Sequence, residues 1–297
     1  MIQVRGITKT YPDGHTALKG IDLDVGEGML GVLGPNGAGK TTFLSILMLT
    51  LQPSGGSRSY DGLDPHFRRN WPSIRRMIGF LPQSFSPIGH LTGLEYLVHC
   101  ARMREMPLTG HEIEQRSRRL LDEVYLTEAA GRPSAEYSGG MRRRLGIAQA
   151  LIHAPRLVVV DEPTAGLDPE ERIRFRNLIS DVSQSTAVLL STHIVEDIEA
   201  TCDRIAVIAR GSVLFDDAPA TLIRHALGKV RTIPAEVPLP PGSVVIGSKV
   251  DLGERVNVIY DDTNPFPCPD DGVTLEEAYS ALLAAHGFRL DGGGPGA

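Results

Sequence analysis

The run Gly34-Pro35-Asn36-Gly37-Ala38-Gly39-Lys40-Thr41-Thr42 contains the amides and the amine needed to grip a polyphosphate, and it fits the pattern G-x-x-x-x-G-K-[ST]. Gly37 and Gly39 let backbone N–H groups wrap a β-phosphate without Cβ collisions, Lys40 neutralises β/γ oxygens, and the Thr41 hydroxyl is suited to ligate Mg²⁺. Two carboxylates, Asp161 and Glu162, follow the apolar run Val158-Val159-Val160. Asp161 is placed to hold magnesium through its water shell, and Glu162 to polarise a water attacking a departing γ-phosphate. A second glycine element, Tyr137-Ser138-Gly139-Gly140-Met141, offers a hydroxyl, two side-chain-free amides and the positive end of a helix dipole. Two phosphate-binding ends with one nucleotide's worth of machinery suggest a composite site, closed by a second copy of the same domain. Gln83, with an amide oxygen able to reach the metal, and His193, with an imidazole able to donate to a γ-phosphate, are weaker candidates. Each taken alone reads as surface or structural.

These groups need a scaffold. Residues 29–33 are an apolar run of strand length, and residues 43–51 carry Leu, Ile and Met at helical density, so the phosphate loop joins a strand to a helix. Residues 156–162 read as a parallel strand buried on both faces and ending in the two carboxylates, where ligand sites of open α/β sheets lie. Residues 78–83 and 188–193 read as further strands ending in Gln83 and His193. Residues 84 to about 150 carry helical patterns, with Ile113, Leu120, Leu121 and Val124 spaced for one face. A helical subdomain inserted there would set the second glycine element on a separate arm. Beyond about residue 220 the character changes. A Pro-rich connector covers residues 233–242, short strands follow at 244–250 and 256–260, and a last helix starts at Thr274. The expected division is an α/β domain over 1–220 and an α+β appendage over 221–297, with residues 291–297 disordered.

The order of these elements resembles the nucleotide-binding domain of ABC transporters, over residues 1 to about 220. The likeness rests on the phosphate loop, Gln83, the Ser138 signature, the run Asp161-Glu162-Pro163-Thr164-Ala165-Gly166-Leu167-Asp168-Pro169, and His193. It implies a P-loop NTPase core of ABC ATPase type, with ATP and Mg²⁺ as cofactors and Glu162 and His193 serving hydrolysis. It also implies that Tyr11 stacks on adenine, and that Ser138, Gly139, Gly140 and Met141, with Asp168, meet the ATP held by Lys40 of the other copy. The family usually has Gln where this chain has Met141. One lost net hydrogen bond is worth on the order of 0.5–1.5 kcal/mol, which would tune closure of the dimer and not abolish it. Residues 91–106 and 273–279 resemble bacterial exporters of the drug-resistance and polysaccharide-export kind. In these the membrane subunit is usually a separate chain. By that resemblance the coupling surface lies at residues 84–95, and the protein sits peripherally on the cytoplasmic face of the plasma membrane.

Composition limits the alternatives. With 41% apolar residues the chain can bury a substantial core, and its net charge of −6 disfavours general affinity for nucleic acid. No apolar run approaches the ~20 residues needed to span a bilayer, and the amino terminus carries no secretory signal. Cys100, Cys202 and Cys268 form no C-x-x-C pair, which suits reduced thiols. The histidines form no H-E-x-x-H pattern, so no protein-ligated zinc is expected. The basic runs at 68–69, 75–76, 116–119 and 142–144 mostly read as solvated faces, and Arg outnumbers Lys 25 to 5. A soluble ABC ATPase acting on ribosomes or DNA is the rival reading. Such proteins carry tandem domains, long coiled coils or zinc modules, and this sequence shows none of them.

Overall fold

The computed structural model describes residues 2–251, 253–263 and 272–288. The tail at 291–297 and Cys268 lie outside those residues. In chain order the first half runs β1 (Ile2–Thr10), β2 (Thr16–Val25), β3 (Met29–Leu33), α1 (Lys40–Leu47), β4 (Gly55–Tyr60), α2 (Trp71–Met77) and β5 (Ile78–Leu81). Three helices follow, α3 (Gly93–Met103), α4 (Gly110–Glu123) and α5 (Gly139–Leu151). The chain then returns to alternating elements: β6 (Leu157–Asp161), α6 (Pro169–Ser183), β7 (Ala187–Thr192), α7 (Val195–Thr201), β8 (Arg204–Ala209) and β9 (Ser212–Asp217).

Strands β3 and β6 are buried at every residue, as the uninterrupted apolar runs require of central parallel strands covered on both faces. They belong to a six-stranded sheet of order β5-β6-β7-β3-β8-β9. Its parallel register pairs Leu33 with Thr192, Asp161 with Ser191 and Leu81 with Val160. The carboxyl ends of β3, β5, β6 and β7 therefore come level along one edge. A separate antiparallel sheet of order β2-β1-β4 packs its apolar side into the same core as α1, through Ile2, Val4, Ile7, Leu18, Ile21 and Leu23. The Tyr60 hydroxyl donates to the Leu47 carbonyl at 2.6 Å and ties β4 to the end of α1. Helix α1 stops before the expected residue 51, because Leu49 turns into the left-handed region at φ 59°.

Between β5 and β6 the chain is helical. Capping boxes start α3 at Thr92 with Glu95 and α4 at Thr109 with Glu112, each satisfying orphan amides reciprocally. Ile113, Leu120, Leu121 and Val124 are all buried. Cys100 and Cys202 are free thiols. Burial pushes the Cys202 thiol up to about 12, which keeps it out of thiolate chemistry at neutral pH.

The chain divides into two compact units, Met1–Val213 and Leu214–Ala297. The division falls within β9, ahead of residue 220. The second unit contains α8 (Pro219–Ala226), β10 (Val230–Pro234), β11 (Val244–Asp251), β12 (Glu254–Tyr260) and α9 (Leu275–Ala285). Its sheet has the order β10-β12-β11. The Pro-rich connector begins inside a strand: Pro234 ends β10, paired with Val256. An edge strand tolerates the missing N–H. Thr274 caps α9 in a box with Glu277, and Lys249 on β11 donates to the same carboxylate at 2.9 Å.

Candidate functional site

The loop after β3 is shaped by two glycines in the left-handed region, Gly37 at φ 77° and Gly39 at φ 104°. A Cβ on Gly39 would lie 2.7 Å from the Ala17 carbonyl oxygen, so only glycine fits there. Lys40 opens α1 and is buried. Its Nζ donates to the carbonyls of Gly34 at 2.5 Å and Pro35 at 3.3 Å, and stands 3.7 Å from Glu162 Oε1. Burial lowers the pKa of this ammonium from its ordinary value, while the carboxylates of Glu162 and Asp161 oppose the shift.

Strand β6 ends at Asp161, one residue short of the sequence reading. Glu162 leaves the strand with φ 46°, a conformation that costs a non-glycine residue roughly 1–2 kcal/mol. Two contacts hold it there. Its N–H donates to the Ser191 carbonyl at 2.8 Å, and its Oε2 accepts from His193 Nδ1 at 2.7 Å. Glu162 is buried, whereas the His193 side chain is 46% exposed. The imidazole thus presents its Nε2 edge, which carries no hydrogen bond, with its tautomer set by the carboxylate.

One cavity of about 320 Å³ gathers these groups. It is lined by Asn36, Gly37, Ala38, Gly39, Lys40, Thr41 and Thr42 of the loop, together with Tyr11, His15, Ala17, Gln83, Glu162 and His193. Gly34 and Pro35 reach it through their carbonyl contacts with Lys40. The Tyr11 hydroxyl lies 3.2 Å from Thr42 Oγ1, and its ring is near parallel to His15, with centroids 6.3 Å apart and planes at 14°. His15 was not singled out from the sequence. Its signal was the tight turn between β1 and β2, where the Tyr11 N–H donates to the His15 carbonyl at 2.8 Å. Gln83 lies two residues past the end of β5.

The Ser138 element is not part of that cavity. The Ser138 hydroxyl caps α5 by accepting from the Met141 N–H at 3.1 Å. Gly140 is packed so tightly that a Cβ there would fall 1.9 Å from Glu171 Oε2. Glu171 also lies 3.7 Å from Arg144 Nε and 3.0 Å from Arg174 Nη1, so one carboxylate braces the first turn of α5 against α6. Met141 lines a different hollow with Asp122, Tyr125 and Arg144. Asp168 caps α6, accepting from the Glu171 N–H at 2.9 Å. Upstream in the same loop, the buried Thr164 hydroxyl donates to Asp197 Oδ2 on α7.

A divalent cation fits the donors present. Asp161 Oδ1 and Ser191 Oγ are buried without a hydrogen-bond partner, and such orphans are costly and rare. Burial raises the Asp161 pKa above the ordinary carboxylate value, the nearby Ser191 hydroxyl tempering the shift without a bond of normal geometry. With the Thr41 hydroxyl and the Gln83 amide oxygen the set is all oxygen, the preference of Mg²⁺.

Known proteins resemble this chain in sequence and in fold. The family model described as ABC transporter matches residues 18–165. The daunorubicin resistance ATP-binding protein DrrA2 of Streptomyces coeruleorubidus is 37% identical over 85% of this chain and 78% of its own length. ABC transporter A family member 12 of Arabidopsis thaliana is 37% identical over 70% of this chain, which spans 23% of that longer protein. Among solved structures, the dimeric ATP-binding cassette MJ0796 in a post-hydrolysis state with ADP and Pi is 28% identical, with a TM-score of 0.66 over 73% of this chain and 98% of that one. The chain belongs to the family of ABC transporter ATP-binding proteins and is an ATPase subunit of that kind.

Proposed function

We propose that two copies of this chain sandwich two Mg-ATP molecules and so drive a separate membrane permease that works as an exporter. The observation that carries the reading is the convergence of Lys40, Glu162 and His193 on one cavity. The Ser138 element, equipped for phosphate, lies outside that cavity in its own chain. Entry of ATP would draw the Lys40 ammonium from the Gly34 and Pro35 carbonyls to the β/γ oxygens, where its charge is matched. Tyr11, beside His15, offers a ring to adenine. Glu162 orients and polarises the attacking water, its second oxygen held by His193. His193 Nε2 is then available to the γ-phosphate. Mg²⁺, held by Thr41, Asp161 and Gln83, would neutralise charge on the β and γ oxygens. Ser138, Gly139, Gly140 and Met141, with Asp168 nearby, would meet the nucleotide of the opposite copy through the α5 amino terminus.

The exporter direction is supported by the drug-resistance relative. Among the described residues no helix is long and apolar enough to cross a membrane, so the path would come from another chain. On this reading the protein sits peripherally at the cytoplasmic face of the plasma membrane, with residues 84–95 as coupling surface and no nucleic acid as partner. The test is affinity purification of the tagged chain from its native cell after mild detergent. Recovery of a polytopic membrane protein supports the reading, whereas recovery of ribosomes or DNA overturns it.

A further inference from the structure

Residues 65–77 lie between β4 and β5 and read Pro-His-Phe-Arg-Arg-Asn-Trp-Pro-Ser-Ile-Arg-Arg-Met, with four arginines and no acidic residue in a chain of net charge −6. From sequence alone those arginines are a solvated face. The structure adds their company. A single 3₁₀ turn, Arg68–Asn70, runs directly into α2, and Ile74, fully buried in the core, fixes which side of α2 turns outward. The Arg68 and Arg75 guanidinium carbons sit 5.5 and 5.1 Å from the Trp71 ring, and that of Arg69 sits 5.1 Å from the Phe67 ring. Among the described residues none of Arg68, Arg69, Arg75 and Arg76 forms an ion pair, and all four are exposed. Phe67 is 48% exposed. The segment is held by Trp71 Nε1 donating to the Pro65 carbonyl at 2.7 Å and Asn70 Nδ2 donating to the Asp64 carbonyl at 2.8 Å.

Unpaired arginines beside the exposed Phe67 and the half-buried Trp71 add little to folding, and they suit a surface that is both anionic and interfacial. Stacking of nucleic acid bases needs free ring faces, but Trp71 and Phe67 already carry guanidinium groups over theirs. What remains is an apolar rim set among cations, the pattern that beds into the boundary between headgroups and acyl chains. We propose that residues 65–76 form a docking patch for anionic phospholipid headgroups, which holds this side of the subunit against the membrane. The inference rests on the exporter reading only in bringing the chain beside a membrane.

The test is flotation of the purified full-length chain with vesicles. Binding is expected to vesicles of phosphatidylglycerol mixed with phosphatidylcholine and not to phosphatidylcholine alone, and it should weaken as salt screens the charges. Replacing the four arginines together by alanine (R68A/R69A/R75A/R76A) should lower partitioning on the order of 1,000-fold, with ATP turnover of the isolated chain retained as proof of folding. Phe67→Ser should weaken binding with every charge in place. Absence of flotation by the unaltered chain, or equal flotation by the quadruple variant, overturns the proposal. A quadruple variant that still floats but no longer purifies with a membrane protein assigns the patch to an acidic protein partner and overturns it as well. Flotation failing while the permease is still recovered sinks the lipid patch alone. Flotation of the unaltered chain, with no membrane protein recovered with it from its native cell, sinks the exporter reading alone.

Discussion

The loop around Lys40 and the amino terminus of α5 present similar equipment to a phosphate, backbone amides at a helix start beside glycines, yet they are built on opposite terms. Around Lys40 the chain brings four other segments to the loop: Gln83, Glu162 and His193 converge on the cavity from the ends of β5, β6 and β7, and Tyr11 from the β1–β2 turn. At α5 the glycine faces its own chain: Gly140 is occupied by Glu171, and the Ser138 hydroxyl already accepts from the Met141 amide. One end is complete as folded. The other is braced within its own chain and stands outside the cavity, as the proposed sharing of the site with a second copy requires.

The sharpest attack on that contrast is Glu162→Gln. Turnover should fall by about 10²–10⁴-fold, with nucleotide binding kept and an ATP-stabilised dimer visible by analytical ultracentrifugation. Unchanged hydrolysis would remove Glu162 as the base. Next is Gly140→Ala, whose methyl must displace Glu171 from Gly140 and disturb the contact with Arg144. It should cost the ATP-stabilised dimer roughly tenfold or more, a typical loss for a packing clash. Binding of a fluorescent ATP analogue to the monomer should be unaffected, and Glu171→Ala in the same chain should recover part of the dimer. If monomer binding falls as far as dimerisation, the two ends are not separate.

A smaller effect tests the mounting of the helical arm. The His153 Nε2–H donates to the Ile78 carbonyl at 3.1 Å, and its Nδ1 is buried without a partner. Burial first, then the charges of Arg104 and Arg116, lower its pKa to about 4, against 6.5 ordinarily. Because the folded value is the lower one, its contribution to stability is complete above pH 6.5 and is lost as pH falls through 4. With partial exposure discounted, the loss is on the order of 1–2 kcal/mol. Urea unfolding at pH 7 and pH 4.5 should show that decrement in the unaltered chain and a smaller one in His153→Gln. Parallel pH dependence in the two would refute it. The smallest expected change is Met141→Gln, which should tighten the ATP-bound dimer by up to about tenfold. No change in the dimer constant would mean that the residue at 141 is irrelevant to closure.

What the sequence could reveal depended on how local each feature is. The phosphate loop is one contiguous segment whose glycines and lysine carry their own geometry, and the buried parallel strands announce themselves as unbroken apolar runs. The turn at Glu162 was not legible. Residues 156–162 look like a strand throughout, and the contacts that hold Glu162 in the left-handed region, the Ser191 carbonyl and His193, come from β7 and the residue just past it. Nor were the Gly140–Glu171 packing or the Thr164–Asp197 bond legible, because each joins residues about thirty positions apart on different helices or loops. Pro234 is a milder case. A proline suggests a connector, but on an edge strand it sits without penalty.

The left-handed backbone at residue 162 also filters which side chains can stand there. Branched residues such as Val, Ile and Thr are poorly tolerated at positive φ, while Asn, Asp and Gly accept it. A chain that shed the carboxylate would therefore keep its fold most easily with Asn or Gly at this position. A Thr or Val at 162 would disturb the β6 end and the Ser191 contact together, confusing loss of chemistry with loss of shape. The backbone thus restricts how this ATPase can be silenced without also being deformed.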